Sequence, residues 1–363
     1  MRKLSVTSLA ILAMLLSCKP KAFQPRPTIP LVETIVSDTT GLAEVVARAG
    51  NRGAAGSIAI IGEPEAGITL SRLLQGIDER DNIDGRAVRD SLPDFAGEHM
   101  DVILDARNAP YRHFQDTDSL REATVRGALF AWDSTCLKST SEMADRLLKS
   151  RAKILVFSSP LSSRFGLFDV DTLQQLCGGR SALFSPVEIT LKEASEAGAR
   201  NIAVWASREV SDSRAYETAF DEMGLEGNII SITPPAAFDV RTSLRSLLRQ
   251  YGESGLGLDA LVLSEYGMDT ASLLSEIALI RSSAAEEDLA FSRMLAPSFI
   301  IVEPGESLAS AVFSYLRKEN LFTHNIARPT VRYFETAESA LGEPSIVEIG
   351  AAYVEQTYVQ DFD

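Results

Sequence analysis

The stretch that decides the fold is residues 198–206, Gly-Ala-Arg-Asn-Ile-Ala-Val-Trp-Ala. Its centre is a short aliphatic run, which is typical of a strand that is buried on both faces of a parallel sheet. Gly198 follows an amphipathic stretch at 187–197, and glycine commonly ends a helix. A second amphipathic stretch, 211–223, comes after the strand and is closed by Gly224. This succession of helix, buried strand and helix predicts an α/β unit.

The same alternation extends from residue 56 to about residue 302. Aliphatic runs predict strands at 57–62, 101–105, 153–158, 181–184, 201–206, 228–233, 259–264 and 297–302. Helical spacing of apolar residues predicts helices at 68–79, 119–131, 141–149, 187–197, 211–223, 240–251 and 269–281. Strands and helices that alternate in this way predict an α/β fold of two Rossmann-like lobes with mainly parallel sheets.

The length of 363 residues is enough for about two domains. We expect a first lobe at 56–185, completed by part of 297–330, and a second lobe at 186–296. Residues 297–363 then hold the crossover and the C-terminal strands. In that part, 330–334 and 345–350 alternate between apolar and polar residues, which favours edge strands.

The N-terminus carries a separate pattern. Arg2 and Lys3 precede an apolar run at 9–16, and Ser17 follows it, which is the order found in a secretory signal peptide. The run is too short to cross a bilayer, since a spanning helix needs about 20 residues. The ending Leu-Leu-Ser-Cys at 15–18 resembles the bacterial lipoprotein box. The resemblance implies that residues 1–17 are removed and that Cys18 carries the lipid.

Residues 18–55 are expected to form the lipid anchor and linker, because closely spaced prolines favour extended chain. A lipidated Cys18 implies a protein anchored to a membrane of the bacterial cell envelope and facing the periplasm or the surface. The predicted membrane contact is the lipid itself.

Composition excludes several classes of function. The formal net charge of -15 argues against a nucleic-acid partner, which needs clustered lysine and arginine. None of the three histidines lies near another histidine or a cysteine, so no metal site is expected. The stretch 62–67 has two carboxylates where a phosphate loop needs glycine, and no cofactor is expected. Whether Cys136 and Cys177 pair stays open.

The segment 185–225 resembles the opening of the second lobe in type 1 periplasmic-binding proteins. It contains Ser185-Pro186, a helix, the run Gly-Ala-Arg-Asn-Ile-Ala-Val and a second helix ending in Gly224. The serine-bearing stretch 154–163 is similar to the end of that family's first lobe. The resemblance covers roughly 56–302 and implies a ligand cleft between two lobes that close on a small polar solute.

Ligands of open α/β sheets bind beyond the carboxyl ends of the strands. Polar residues follow several predicted strands, and arginine and serine side chains among them suit a carboxylate or a polyol. The candidate ligand-binding residues are Glu63, Asp105, Arg107, Asn108, Ser158, Ser159, Ser207, Arg208, Glu265 and Tyr266.

No catalytic residue is predicted, since the chain lacks a Gly-x-Ser-x-Gly elbow. Aspartate and glutamate racemases also have two α/β lobes, and their second half opens with a similar Gly-Ala-x-x-Ile-Ala-Val strand. Their chemistry needs two opposed cysteines as proton carriers. Cys136 and Cys177 both precede the second lobe, so one lobe would have no catalytic thiol.

The sequence therefore favours an exported, lipid-anchored protein that captures a small polar molecule without catalysis. Its further partner would be a transporter or an envelope protein. Two alternatives stay open. One is a regulator that binds a cell-envelope protein through a lobe surface, and the other is a two-lobe racemase-like enzyme.

Overall fold

The computed structural model describes residues 27–37, 41–50, 53–82, 84–114, 116–139, 146–235, 239–323, 325 and 327–359. These residues form two α/β lobes, each built on a mainly parallel sheet. The predicted fold class is confirmed. The predicted signal peptide and Cys18 lie outside the described residues and stay predictions. No helix in the described part of the chain is both long and apolar enough to span a bilayer.

The strands of the described residues are β1 Ser57–Gly62, β2 His99–Leu104, β3 Thr135–Leu137, β4 Arg146–Leu148, β5 Ala152–Phe157, β6 Ala182–Phe184, β7 Asn201–Trp205, β8 Asn228–Ile232, β9 Leu258–Leu263, β10 Leu295–Val302, β11 Thr330–Glu338 and β12 Pro344–Ile349.

The helices are α1 Pro30–Ser37, α2 Leu42–Ala47, α3 Pro64–Gly76, α4 Thr117–Trp132, α5 Pro160–Cys177, α6 Pro186–Glu196, α7 Arg208–Ser213, α8 Ala215–Glu222, α9 Val240–Gly252, α10 Thr270–Ser282, α11 Glu286–Met294, α12 Pro304–Lys318 and α13 Ala351–Tyr358, with a 3-10 turn at Tyr111–His113.

The first sheet has the strand order β4-β3-β12-β11-β2-β1-β5-β6. Its central strand β1 pairs in parallel with β2 and β5, and every residue of β1 is buried. Ile58 and Ile60 pack on one face of the sheet, while Ala59 and Ile61 pack on the other. Successive side chains of a strand point to opposite faces, so an aliphatic run is what a strand covered on both sides needs.

The second sheet has the order β10-β9-β7-β8 and is parallel throughout. Its strand β7 lies within residues 198–206, Gly-Ala-Arg-Asn-Ile-Ala-Val-Trp-Ala. Ile202 and Val204 pack into a core on one face, and Ala203 packs into a core on the other. The aliphatic pattern therefore identified a strand that is buried on both faces.

The boundary between the lobes differs from the predicted one. Strand β10 was expected to begin the return to the first lobe at residue 297, yet it pairs with β9 in the second sheet. The return comes with α12, whose Leu308 and Val312 pack into a core of the first lobe. Strand β11 then pairs with both β2 and β12, so it lies inside the first sheet and not at its edge.

The predicted linker at 18–55 includes folded chain. Helix α1 buries Val32 and Ile35 completely in a core of the first lobe, and Val46 of α2 joins the same core. Pro30 is the first residue of α1, where a missing N–H removes no helical hydrogen bond. Pro30, one of the prolines that suggested extended chain, is therefore compatible with a short helix that packs on the lobe.

The helix predicted at 141–149 is wrong in its described part. Arg146–Leu148 forms β4, which pairs antiparallel with β3, and 140–145 lie outside the described residues. Short helices are marginal without tertiary packing, and Leu148 is 81% exposed. Pairing with β3 gives this backbone hydrogen bonds without requiring a buried apolar face.

Candidate functional site

A cavity of about 320 Å³ opens between the two lobes, beyond the carboxyl ends of strands from both sheets. Sites for small molecules commonly measure roughly 300–1,000 Å³. The first lobe contributes the polar lining residues Glu63, Glu65, Thr69, Arg112, Ser158 and Ser159. The second lobe contributes Ser207, Glu209, Ser264, Glu265 and Tyr266.

Glu63 is the polar residue that follows β1. It has extended backbone and precedes Pro64, the first residue of α3. Its Oε1 accepts a hydrogen bond of 2.8 Å from the backbone N–H of Tyr111, and its Oε2 accepts one of 3.2 Å from the hydroxyl of Ser159. Two donors from different segments therefore hold this carboxylate in place at the cavity wall.

The approach of β1 to β5 depends on Gly62. A Cβ atom at Gly62 would lie 2.3 Å from Oγ of Ser158, which is closer than real atoms come. The Ser158 hydroxyl instead donates to the carbonyl of Ile61 across 3.2 Å. Glycine at this position lets the strand ends carrying Glu63 and Ser158 lie side by side.

The environment of Glu63 acts on its pKa in two directions. Desolvation raises the pKa of this carboxyl above the ordinary value, and the bonds from Tyr111 and Ser159 and the charge of Arg112 partly offset the rise. Hydrogen bonds and cations favour the ionised form of a carboxyl. Glu63 thus combines a raised pKa with three groups that favour its anion.

Glu265 is the matching carboxyl of the second lobe and follows β9. Water reaches its side chain through the open cleft, but protein atoms around the cavity remove enough solvent that desolvation raises its pKa. A hydrogen bond from Ser264 lowers the pKa, while the charges of Glu63, Glu65 and Glu209 raise it further. Like charges favour the neutral acid, so Glu265 lies in an environment that favours its protonated form.

Asp105 lies behind the cavity and not in its wall. Its Oδ2 accepts a 3.1 Å hydrogen bond from the hydroxyl of Tyr111, and its Oδ1 accepts bonds from Asn108 and Thr336. Since Tyr111 also donates its backbone N–H to Glu63, Asp105 supports the segment that positions Glu63. Burial raises the pKa of Asp105.

Six of the ten predicted site residues line the cavity: Glu63, Ser158, Ser159, Ser207, Glu265 and Tyr266. The other four do not. Arg107 forms a 2.7 Å ion pair with Glu338, Asn108 donates to Asp105, and the exposed Arg208 lies 3.8 Å from Asp212 on its own helix. Arg107 and Arg208 therefore lie outside the cavity, and neither offers its guanidinium to a ligand carboxylate there.

Sequence reasoning missed the cation of the cavity wall, Arg112, and two of its four acids, Glu65 and Glu209. Arg112 lies in the 3-10 turn after Pro110, and Glu209 lies in α7. Neither directly follows a strand, so the strand-end rule could not identify them. The only available signal was their closeness in sequence to Asp105 and Ser207, which do follow strands.

The two described cysteines lie away from the cavity. Cys136 is buried in β3 and Cys177 ends α5, and both are free thiols. Desolvation raises the pKa of each thiol, which disfavours the reactive thiolate. In the described part of the chain, no cluster of three or more histidine, cysteine or acidic residues could hold a metal ion.

Comparison with known proteins finds no matching family model and no matching curated protein. Among solved structures, glutamate racemase from Francisella tularensis subsp. tularensis SCHU S4 in complex with D-glutamate matches with a TM-score of 0.51 and 13% identity, over 85% of this chain and 96% of that one. Glutamate racemase isoform RacE1 from Bacillus anthracis matches with a TM-score of 0.49 and 16% identity, over 78% of this chain and 89% of that one.

These matches correct the sequence analysis. The resemblance to type 1 periplasmic-binding proteins is wrong, because the fold matches that of a glutamate racemase. The preference for solute capture without catalysis, and for a protein that is not an enzyme, rested on that resemblance and is corrected with it. The described chain has the two-lobe α/β fold of the Francisella tularensis glutamate racemase.

Proposed function

We propose that this protein is a racemase-like enzyme that inverts a carbon centre by proton transfer in the cleft between its lobes. The observation that carries the proposal is the pair Glu63 and Glu265, which line one cavity from opposite lobes and both have raised pKa values. The shared fold with a glutamate racemase supports the reaction class.

The environments of the two carboxyls assign their roles. Glu63 receives two hydrogen bonds and the field of Arg112, so it is the ionised base. Glu265 faces three other carboxylates, which favour its protonated form, so we assign it as the acid. Two titratable groups whose environments separate their protonation states form an acid–base pair. A general base is most effective when its pKa lies near the working pH, which suits carboxyls whose pKa is raised.

The proposed step moves one proton on and one proton off the substrate. Glu63 takes the proton from a carbon next to a carboxyl or carbonyl group, and the electron pair of the broken C–H bond remains on the substrate. Glu265 gives its proton to the opposite face of the same carbon, which forms the new C–H bond. Glu63 ends as the acid and Glu265 as the carboxylate, and the reverse reaction exchanges their roles.

This proposal does not use a thiol. The racemase hypothesis considered from sequence needed two opposed cysteines, and neither Cys136 nor Cys177 lines the cavity. The strand ends that meet there carry Ser158 and Ser264 instead, next to Ser159 and Glu265. A serine hydroxyl is a far weaker acid than a carboxyl, so the two glutamates are the better proton carriers.

The test is proton exchange at the reacting carbon. The full chain is incubated in D2O with a panel of L- and D-amino acids and 2-hydroxy acids, and deuterium uptake is followed by NMR and inversion by chiral chromatography. We expect at least one compound to gain deuterium and to invert. A panel that shows neither exchange nor inversion for any compound argues against the proposal.

A further inference from the structure

A second cavity of about 560 Å³ adjoins the first at its outer side. The two cavities share Glu63, Glu65 and Arg112. The far wall of the second is formed by Glu335 of β11 and by two tyrosines of α13, Tyr353 and Tyr358. The two cavities therefore lie on either side of a wall that contains Glu63, Glu65 and Arg112.

The two tyrosines form an aromatic pair at the mouth of the second cavity. Their ring centroids are 6.4 Å apart and the rings are nearly perpendicular. Tyr353 is 45% exposed, which leaves its ring available to a ligand. Burial and the neighbouring Glu335 carboxylate raise the pKa of the Tyr358 hydroxyl, so the carboxylate lies next to the aromatic pair. Aromatic faces and carboxylates both attract cations.

The charges around the two cavities are strongly unequal. Of the described residues that line them, five are glutamates: Glu63, Glu65, Glu209, Glu265 and Glu335, and four of them are anions when Glu265 carries its proton. Arg112 is the only lysine or arginine among those lining residues. One guanidinium suits one carboxylate, so the site can bind the α-carboxylate of an amino acid but offers no second cation for an acidic side chain.

We infer that the substrate is an amino acid with a long, positively charged side chain, whose α-carboxylate lies on Arg112 and whose cation lies between Glu335 and Tyr353. This inference rests on the proposed function, since it places the reacting carbon between Glu63 and Glu265. It predicts that side-chain charge decides which amino acids enter the cleft.

Binding measured by calorimetry on the full chain tests the inference without requiring turnover. The probes are L-arginine, L-norleucine as a neutral chain, and L-glutamate. We expect L-arginine to bind roughly tenfold more tightly than L-norleucine, as the loss of a charge-assisted contact implies, and L-glutamate not to bind. Glu335→Gln and Tyr353→Ala should each lower the affinity for L-arginine and leave the affinity for L-norleucine unchanged.

Glu338→Gln is the matched control, because Glu338 lies on the same strand but pairs with Arg107 and lines neither cavity. It should leave the affinity for L-arginine unchanged. The inference is overturned if L-glutamate binds as tightly as L-arginine, if L-arginine and L-norleucine bind alike, or if no probe binds. Selective binding of L-arginine without any proton exchange would count against the proposed reaction and uphold the charge preference.

Discussion

The backbone N–H of Tyr111 donates a 2.8 Å hydrogen bond to Oε1 of Glu63. This contact joins the turn after β2 to the carboxyl that follows β1. It aims Glu63 at the cavity, and it favours the anion that a general base requires. The tyrosine hydroxyl is bonded in turn to Asp105, so one residue connects the cavity wall to a buried acid behind it.

Removal of Glu63 should abolish inversion. Glu63→Gln keeps the size of the side chain but cannot accept a proton from carbon. For the enantiomer whose hydrogen faces Glu63, we expect the rate of deuterium exchange to fall by about 10²–10⁴-fold, the range that general base catalysis contributes. The rate is measured by NMR in D2O. Glu338→Gln should retain the wild-type rate, and a Glu63→Gln protein with that same rate would rule out Glu63 as the base.

Removal of Glu265 should have the corresponding effect on the opposite enantiomer. Glu265→Gln leaves Glu63 able to remove the proton that faces it. We expect one enantiomer of the substrate to keep exchanging its hydrogen with solvent without inverting, while the other enantiomer stops reacting. Chiral chromatography combined with mass spectrometry separates these outcomes. An equal loss of hydrogen exchange for both enantiomers would contradict the assignment of one carboxyl to each face of the reacting carbon.

The pH dependence of activity should be bell-shaped. The reaction needs Glu63 ionised and Glu265 protonated, so activity falls at low pH as Glu63 gains a proton and at high pH as Glu265 loses one. The pKa of each carboxyl is raised by desolvation, so both limbs should lie above the ordinary pKa of glutamate. Initial rates across pH check this. In Glu265→Gln, which keeps exchange of one enantiomer but not inversion, the exchange rate should lack the alkaline limb.

Glu265 should also lower the stability of the protein at neutral pH. A carboxyl whose pKa is higher in the folded state stabilises that state only at low pH, and this contribution is lost as pH rises through the folded pKa. Glu265→Gln should therefore raise the Tm at pH 7 and leave it unchanged at pH 3. Scanning calorimetry at the two pH values gives the comparison. An equal shift of Tm at pH 7 and at pH 3 would show that the charge of Glu265 is not the cause.

Tyr111→Phe should destabilise the fold measurably. The substitution leaves one oxygen of the buried Asp105 without its 3.1 Å hydrogen bond. Loss of a hydrogen bond to a charged group lowers the free energy of unfolding by about 1.5–3 kcal/mol, and urea denaturation measures it. Arg107→Ala removes an exposed ion pair and should cost about 1 kcal/mol or less. A similar loss of unfolding free energy in both variants would contradict the stabilising hydrogen bond from Tyr111 to Asp105.

The thiols should be dispensable for activity. Cys177 lies at the end of α5 and outside the cavity. We expect Cys177→Ala, and treatment of the full chain with iodoacetamide, to leave the exchange rate within about twofold of the wild type, since distant surface changes rarely disturb a site. Inactivation by alkylation that Cys177→Ala prevents would reinstate a thiol mechanism.

The sequence predicted which segments form buried strands better than it predicted which loop residues line the cavity. Aliphatic runs such as Ile58–Ile61 and Ile202–Val204 identify strands because burial on both faces leaves no room for polar residues. The strand-end rule then found Glu63 and Glu265. It could not decide that Arg107 lies against Glu338 while Arg112 lines the cavity, because that choice depends on the course of the turn after β2.

The choice of proton carriers also depends on tertiary structure. The sequence leaves a racemase-like enzyme as an alternative only, because Cys136 and Cys177 do not fit opposed proton carriers, and the structure places neither in the cavity. The proposed reaction does not require thiols. Proton transfer needs a suitable pKa at the right place, and the raised pKa of Glu63 and of Glu265 arises from surroundings that no local sequence pattern encodes.

The most direct test of the central claim is the uptake of solvent deuterium during inversion by three proteins: the wild type, Glu63→Gln and Glu265→Gln. The account predicts one deuterium at the inverted carbon with the wild type and no inverted product with either variant. Inverted product formed at the wild-type rate by either variant, or inversion that keeps the original hydrogen, would contradict proton transfer between these two carboxyls.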